Sequence, residues 1–170
     1  INPSLGNVYG NVASIKGSFS LNYTWVISMR NNVFASGKTK LYYVTLHEIG
    51  HILGIGSFWV QYGSYGIPVG DSANTNRFYM GENGTREYRK YFSHYDRLYY
   101  LPIEDDGNNP STATSHPEEG ELIDNEGNHI SYNNRNLNGI FYPGMDIELM
   151  TGWAENTDMP LSRITIGYLD

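Results

Sequence analysis

The residues His47-Glu48-Ile49-Gly50-His51 constrain this chain more strongly than any other segment. Two histidines four positions apart lie on the same side of a helix, because one turn takes about 3.6 residues. Their imidazoles can therefore bind one divalent metal ion, while Glu48, about 100° around the helix, can reach a water molecule on that ion. The pattern is typical of zinc hydrolases, so the fold must bring at least one further ligand to this helix.

The residues around this motif have the pattern of a helix with one apolar face. The pattern begins at about Lys38, and the histidines lie beside its apolar residues. Those apolar residues are Leu41, Val44, Ile52 and Leu53. Gly54 and Gly56 follow, and we predict that the helix ends there, since glycine tolerates the left-handed turn after a helix. The alternative is a buried helix whose histidines only satisfy hydrogen bonds.

The composition excludes several classes of protein. The chain has 170 residues, enough for one domain with a buried core, and no linker or internal repeat divides residues 1–170. Its formal net charge of -7 argues against binding of nucleic acid, which needs clustered Lys and Arg. No apolar run approaches the roughly 18 residues of a membrane-spanning helix. Cysteine is absent, so any metal must be bound by nitrogen and oxygen atoms.

The rest of the sequence predicts a mixture of helices, strands and loops. Residues 22–29 are β-branched and aromatic and predict a strand. Residues 85–91 predict a short helix with Thr85 as its N-cap, and Ser162 is the expected N-cap of a final helix. The Gly- and Asn-rich stretch 56–84 predicts loops with brief strands. The expected fold class is α+β.

The third metal ligand must come from outside the helix. A catalytic zinc ion needs three protein ligands and one open position, and the motif supplies two of them. Downstream of the helix the remaining histidines are His94, His116 and His129. We interpret His94 as a surface or packing residue and His129 as part of a flexible polar loop. Glu118 and Glu119 are more often solvated charges, but they remain alternatives to His116 because zinc sites with two histidines and one glutamate exist.

In these features the chain resembles the leishmanolysin-like peptidases, a branch of the metzincins. Members of that family place a long insertion between the glycine after the zinc motif and the third histidine. The resemblance runs over most of the chain, and its strength lies in the order and combination of the matching segments. Those segments are residues 47–56, 58–59, 86–88, 112–116, 148–152 and 160–165.

The resemblance implies a role for each residue of the site. His47, His51 and His116 would bind a zinc ion, and Glu48 would act as the general base. Met150 would form the turn beneath the metal, where a methionine is an apolar, polarizable floor and not a ligand. Ordinary core packing is the alternative role for Met150.

The resemblance also implies an architecture. A metzincin-like α+β domain has a small twisted sheet, an active-site helix and a loop-rich C-terminal part that ends in a helix. The edge strand of the sheet pairs with the substrate, and the segment 23–29 is the candidate for that strand. Gly152 stands where some metzincins have a tyrosine that binds the oxyanion, and Tyr142 is the candidate replacement by its proximity in sequence.

Three functions follow from these residues. The first is a zinc-dependent endopeptidase that acts on protein or peptide substrates, with Glu48 as the general base for a metal-activated water. The second is a non-catalytic, zinc-stabilised structural or attachment module of a larger surface or virion assembly, which would have no need of Glu48. The third is a zinc hydrolase with a glutamate ligand and a different substrate.

Two further features bear on context. The chain opens at Ile1-Asn2-Pro3 without a methionine, so we expect a piece of a longer polypeptide, and we favour an extracellular, surface or virion-associated location. An oxygen-only calcium site is conceivable, but the spacing of its acids matches no EF-hand-like loop, so we interpret them as solvated. Those acids are Asp71, Asp105, Asp106 and Asp124.

Overall fold

The structure is a computed structural model that describes residues 17–56, 59, 65–66, 77–104, 115–123, 129–131, 140–145 and 147–169. Within these ranges the chain forms four helices and five short strands. The helices are α1 (Tyr23–Asn31), α2 (Lys40–Leu53), α3 (Glu82–Tyr91) and α4 (Arg163–Gly167). The strands are β1 (Tyr65–Gly66), β2 (Arg77–Tyr79), β3 (Leu101–Ile103), β4 (Gly120–Ile123) and β5 (His129–Ser131). The architecture is therefore mixed α and β.

The strands form two small antiparallel sheets. The first has the order β1-β2-β3, and the second pairs β4 with β5. In the first sheet Phe78 lies opposite Pro102, and Ile103 lies opposite Arg77 on one side and forms an isolated bridge to Pro117 on the other. The brief strands expected between residues 56 and 84 are present as β1 and β2. Through this bridge, the segment around Pro117 pairs with the edge of β3 that faces away from β2.

The predicted long helix is confirmed as α2. The Thr39 side chain accepts a hydrogen bond from the Tyr42 amide (3.1 Å) and so caps the first turn. The helix ends at Gly54, whose φ is 120°, and Gly56 follows with φ 73°. Both values lie in the region where a side chain is strained, so glycine is needed at these positions. The local signals in the sequence were sufficient for this element.

The prediction of a strand at residues 22–29 is wrong, because these residues form α1. The Asn22 side chain accepts hydrogen bonds from the amides of Thr24 (2.9 Å) and Trp25 (3.4 Å), which is the arrangement of a helix N-cap. A cap of this kind outweighs the weak strand preference of aromatic and β-branched residues. The helix packs along α2, and none of its residues is buried. The expected substrate-pairing edge strand is therefore not formed by these residues.

The predicted helix at residues 85–91 exists, but it begins earlier, at Glu82. Gly81 occupies the cap position, so the prediction of Thr85 as the N-cap is wrong. Thr85 lies one turn inside the helix, is buried, and donates from its hydroxyl to the Tyr79 carbonyl (3.4 Å). A threonine inside a helix can bond to a nearby carbonyl in this way, which its sequence alone does not reveal.

The final helix, α4, is confirmed with its predicted cap. The Ser162 hydroxyl accepts hydrogen bonds from the amides of Ile164 (3.1 Å) and Thr165 (3.2 Å). Helix α4 packs against α3, and a methyl group added at Gly167 would lie 2.8 Å from the Cα of Gly84. The two helices therefore approach closely because both have glycine at their crossing.

Aromatic side chains fill the core between α3, α4 and the first sheet. Trp59, Tyr79 and Tyr168 pack as a cluster with ring centroids 4.9–5.2 Å apart. Tyr88 is fully buried and donates from its hydroxyl to the Pro143 carbonyl (2.6 Å). Burial of such large rings is the main contribution to the stability of this core. None of the helices within the described ranges is long and apolar enough to cross a membrane.

Replacement of Ser162 tests the importance of the last cap. Ser162→Ala should lower the free energy of unfolding by about 1–3 kcal/mol, since it removes two amide partners and a hydrogen bond to the buried Glu148 carboxylate. Urea denaturation followed by circular dichroism measures the change. Ser93→Ala, at an exposed position, is the control and should shift stability by less than about 0.5 kcal/mol. An equal effect of the two substitutions would contradict this role of Ser162.

Candidate metal centre

Three imidazoles converge at one point beside α2. The Nε2 atoms of His47 and His51 are 3.0 Å apart, as expected for side chains one turn apart on a helix. The Nε2 atom of His116 lies 3.2 Å from that of His47 and 3.0 Å from that of His51. His116 is buried, while the two helical histidines are half-buried. The chain thus forms a nearly equilateral triangle of nitrogen atoms at the border between core and solvent.

The position of His116 is fixed by backbone pairing to β3. The Glu104 amide donates to the His116 carbonyl (3.0 Å), and the Glu118 amide donates to the Pro102 carbonyl (3.0 Å). These bonds continue the sheet past β3 on both sides of Pro117. The backbone around His116 is therefore held in place as an extension of the sheet, and this pairing positions the His116 side chain.

Gly56 allows this segment to approach the end of α2. A methyl group added at Gly56 would lie 2.1 Å from the Ser115 carbonyl oxygen, a distance at which two atoms cannot coexist. The turn after α2 and the residue before His116 are thus in direct backbone contact. Two features require glycine at position 56: its positive φ and its close contact with the Ser115 carbonyl.

The hydrogen bonds of the helical histidines fix their tautomers. Nδ1 of His47 donates to the Leu149 carbonyl (2.8 Å), and Nδ1 of His51 donates to the Ile55 carbonyl (2.9 Å). A carbonyl can only accept, so the proton of each neutral ring lies on Nδ1 and the lone pair lies on Nε2. Burial lowers the pKa of His47 to about 4, against a smaller upward effect of the Leu149 carbonyl. The ring is therefore neutral at neutral pH.

This triangle fits a tetrahedral zinc ion. The lone pairs of His47 and His51 face each other at 3.0 Å, and neither Nε2 has a proton to donate. Such an arrangement is repulsive unless a cation lies between the nitrogens. In a tetrahedral site with Zn–N bonds of about 2.0–2.1 Å, neighbouring nitrogens are roughly 3.3 Å apart, close to the separations found here. Three nitrogen ligands leave one position of the tetrahedron open.

Met150 packs against α2 at Gly50. Its side chain is fully buried, and a methyl group added at Gly50 would lie 2.4 Å from the Met150 sulfur. Gly50 stands between His47 and His51, so the thioether occupies the space directly under the helix at the site. The absence of a side chain at Gly50 is what admits the sulfur.

Glu148 supports this floor and was not found by sequence reasoning. Its buried carboxylate accepts hydrogen bonds from the Met150 amide (2.7 Å), the Ser162 hydroxyl (2.7 Å) and the Ser162 amide (3.3 Å). Burial raises its pKa, and these hydrogen bonds oppose the rise. The carboxylate thereby joins the residues under the histidines to the start of α4. The one sequence signal for Glu148 is its position in residues 148–152, a segment that carries the resemblance to the leishmanolysin-like peptidases.

Glu48 lies beside the triangle on the wall of a cavity. Its side chain is half-buried, and it lines, next to His47, a cavity of about 690 Å³. The cavity lies between α1, α2 and residues 152–159. A carboxylate at this position faces space large enough for part of a peptide.

The two acids after His116 do not join the cluster. Among the described residues, His47, His51 and His116 are the group of metal-binding side chains whose ligand atoms lie within 4.8 Å of one another. The expectation that Glu118 and Glu119 are solvated is wrong, since their exposed fractions are 1% and 7%. The Glu118 amide pairs with the Pro102 carbonyl of β3, and Glu119 accepts from the Trp153 amide. The polar sequence around these acids gave no sign of their burial.

The remaining sequence candidates lie elsewhere. His94 is exposed and contacts the Tyr95 ring, which confirms its interpretation as a surface or packing residue. The backbone of His129 belongs to β5 and not to a flexible loop. Tyr142 is fully buried against Phe78, with its hydroxyl 3.5 Å from the Tyr99 amide, and is not among the described residues that line the cavity. The acids considered for calcium, Asp71, Asp105, Asp106 and Asp124, lie outside the described residues.

Comparison of the chain with models of protein families, with curated proteins and with solved structures found no match.

Glu119 connects the cavity wall to the segment of His116. Its Oε1 atom accepts a hydrogen bond from the Trp153 amide (3.1 Å), and Trp153 lines the cavity. Burial raises the pKa of Glu119 to about 8, with smaller contributions from repulsion by Glu155 and Glu104. The carboxyl is therefore largely protonated at neutral pH.

The raised pKa of Glu119 predicts a dependence of stability on pH. Between pH 4.5 and about 8 the folded protein holds a proton here that the unfolded chain has released, so stability should fall as pH rises through this window. Glu119→Gln, which mimics the protonated acid, should match the wild type near pH 4.5 and exceed its stability at pH 8. Chemical denaturation across this range, with the exposed Glu82→Gln as control, measures the difference. Parallel pH profiles for wild type and Glu119→Gln would contradict the assignment.

Proposed function

We propose that this protein is a zinc-dependent endopeptidase related to the leishmanolysin-like metzincins. The observation that carries the proposal is the triangle of Nε2 atoms of His47, His51 and His116, with Glu48 beside it on the wall of a cavity. The resemblance of the sequence to that family implies a role in the site for the same four residues. Mixed helices and small sheets around a helix that carries both histidines are compatible with a metzincin-like fold.

The tautomers of the histidines support a metal of this type. The carbonyls of Leu149 and Ile55 hold the protons on Nδ1, so the lone pairs lie on the Nε2 atoms, which would bind the zinc ion. When bound, zinc would polarise a carbonyl group and lower the pKa of a water molecule to about 7. Three nitrogen ligands without a fourth protein ligand are typical of catalytic zinc sites, whereas structural sites are closed by four.

Glu48 would move the proton in the reaction. Its carboxylate would accept a proton from the attacking water and donate it to the leaving amine, as a general base and then a general acid. Hydrolysis adds one water across the peptide bond: the carbonyl carbon gains oxygen, the C–N bond breaks and the nitrogen gains a proton. Met150 and the Leu149 carbonyl would hold His47 in place during this step.

The two alternatives have less support. A structural or attachment module has no need of an acid beside a cavity, yet Glu48 lines one here. The cluster among the described residues has three members, whereas a structural zinc site usually has four. A glutamate ligand from Glu118 or Glu119 would have to enter the group of His47 and His51, but His116 occupies that place.

Removal of one ligand tests the zinc site. His116→Ala should weaken zinc binding by more than roughly 100-fold, because even partners that only orient a ligand commonly change metal affinity by 10–100-fold. Competition titration with a zinc chelator measures the affinity, and His94→Ala, at an exposed histidine outside the cluster, serves as the control. Full zinc affinity in His116→Ala, together with its loss in Glu118→Ala or Glu119→Ala, would favour the glutamate-ligand alternative.

Removal of the proposed base tests the reaction. Glu48→Ala should retain zinc but lose hydrolysis of an unfolded protein substrate by about 10²–10⁴-fold, the usual contribution of a general base. The measurement is the release of new amino termini, with and without chelator, and Glu82→Ala is the control on an exposed carboxylate. Equal activity of Glu48→Ala and wild type would remove the endopeptidase proposal. A zinc-loaded wild type without any hydrolysis would favour the structural module.

A further inference from the structure

The cavity beside the histidine triangle extends along α2. His47 and Glu48 lie at one end, and Lys40 lines it about two helical turns earlier, on the order of 10 Å along the axis. Val44 lies between them on the same face of the helix, as the spacing of four residues requires. The cavity therefore runs from the proposed site of hydrolysis to the amino end of α2.

Most of the cavity wall is apolar. The large apolar side chains that line it are Leu21, Trp25, Met29, Val44, Trp153 and Met159. The two tryptophans are exposed, with exposed fractions of 68% for Trp25 and 57% for Trp153. Large exposed rings beside a cavity are typical of surfaces that bind a partner, because they bury much area when covered.

Lys40 gives the far end of the cavity a positive charge. Its ammonium group donates to Asn156 Oδ1 (3.0 Å), which leaves two of its three protons available. Among the described lining residues it is the only one with a permanent positive charge, and no described carboxylate lies within ion-pairing distance of it.

The stability of α2 does not explain this lysine. Lys40 is the first residue of the helix, and the first turn contains no acid. A cation at this end adds to the positive end of the helix dipole and is locally unfavourable. An anion near Lys40 would relieve this unfavourable electrostatic arrangement.

We propose that this cavity binds the substrate residue next to the scissile bond, and that Lys40 selects an acidic side chain, glutamate or aspartate, at that position. The inference rests on the proposed endopeptidase function. The apolar walls would contact the methylene groups of the side chain, and the ammonium group would pair with its carboxylate. A charge-assisted hydrogen bond of this kind discriminates between a carboxylate and an amide, because only the carboxylate pairs with the charge of the ammonium group.

Peptides that differ at one residue test the selectivity. Three amidated peptides would carry Glu, Gln or Leu directly after the cleaved bond, and kcat/KM would be measured for each. The wild type should prefer Glu over Gln by about 10-fold or more. Lys40→Met, which keeps the apolar stem but removes the charge, should bring this ratio close to one. Lys40→Glu should favour a peptide with Lys at the same position.

Lys38→Met is the matched control. It removes the same charge two residues away, from an exposed side chain that lies over the Tyr42 ring and not among the described lining residues of the cavity. Its Glu/Gln ratio should equal that of the wild type. An unchanged ratio in Lys40→Met, or an equal loss in Lys38→Met, would overturn the inference. A preference for free-acid over amidated peptides without a preference for Glu would also overturn it, in favour of a terminal carboxylate.

A binding measurement separates this inference from the proposed reaction. The amidated peptides Glu-Ala-Leu and Gln-Ala-Leu mimic the product side of the cleaved bond, and their affinity can be measured by calorimetry and by tryptophan emission. Trp25 and Trp153 line the cavity and would report occupancy. The Glu peptide should bind about 10-fold more tightly, and Lys40→Met should remove the difference. If the Glu peptide binds with this preference but the wild type hydrolyses no substrate, the peptidase proposal fails and the binding site for an acidic side chain stands. If the wild type hydrolyses substrates but the two peptides bind equally, the peptidase proposal stands and the role of Lys40 fails.

Discussion

The candidate site depends on one close backbone contact, between Gly56 and Ser115. Because no side chain intervenes, the turn after α2 can touch the segment that carries His116, and pairing to β3 fixes that segment from the other side. The nitrogen atoms of the triangle are far apart in the sequence, since His116 follows His51 by 65 positions and His47 by 69. A site assembled over such a separation does not exist in the unfolded chain, so binding of a metal would add directly to the stability of the fold.

Hydrogen bonds to backbone carbonyls orient the two histidines of α2. Carbonyl groups hold the Nδ1 protons of His47 and His51, and the Met150 sulfur fills the space below Gly50. The two hydrogen bonds fix the tautomer of each ring. An arrangement of this kind reduces the reorganisation that a metal must cause on binding, and it leaves the facing lone pairs in an unfavourable contact that a cation relieves.

The sequence predicted those parts of the fold whose signals are local. Helix α2, its glycine end and the Ser162 cap each follow from residues within one turn of the boundary. The strand predicted at 22–29 failed because a single side chain, Asn22, caps a helix there. The burial of Glu118 and Glu119 was missed because it depends on contacts with distant segments, β3 for Glu118 and Trp153 for Glu119, which no local pattern encodes. His116 was one of several candidates from the residues alone, and only family resemblance singled it out.

The buried Glu148 carboxylate has a consequence for the motions of the molecule. It holds the Met150 amide and both the amide and the hydroxyl of Ser162, so the base of the histidine cluster and the last helix share one anchor. If Met150 and the start of α4 moved apart, the buried Glu148 carboxylate would lose hydrogen-bond partners, which is unfavourable. The two should therefore open together in local unfolding, with amide protons that exchange as a single unit. Helix α4, which does not line the cavity, thereby affects how rigidly the imidazole rings are held.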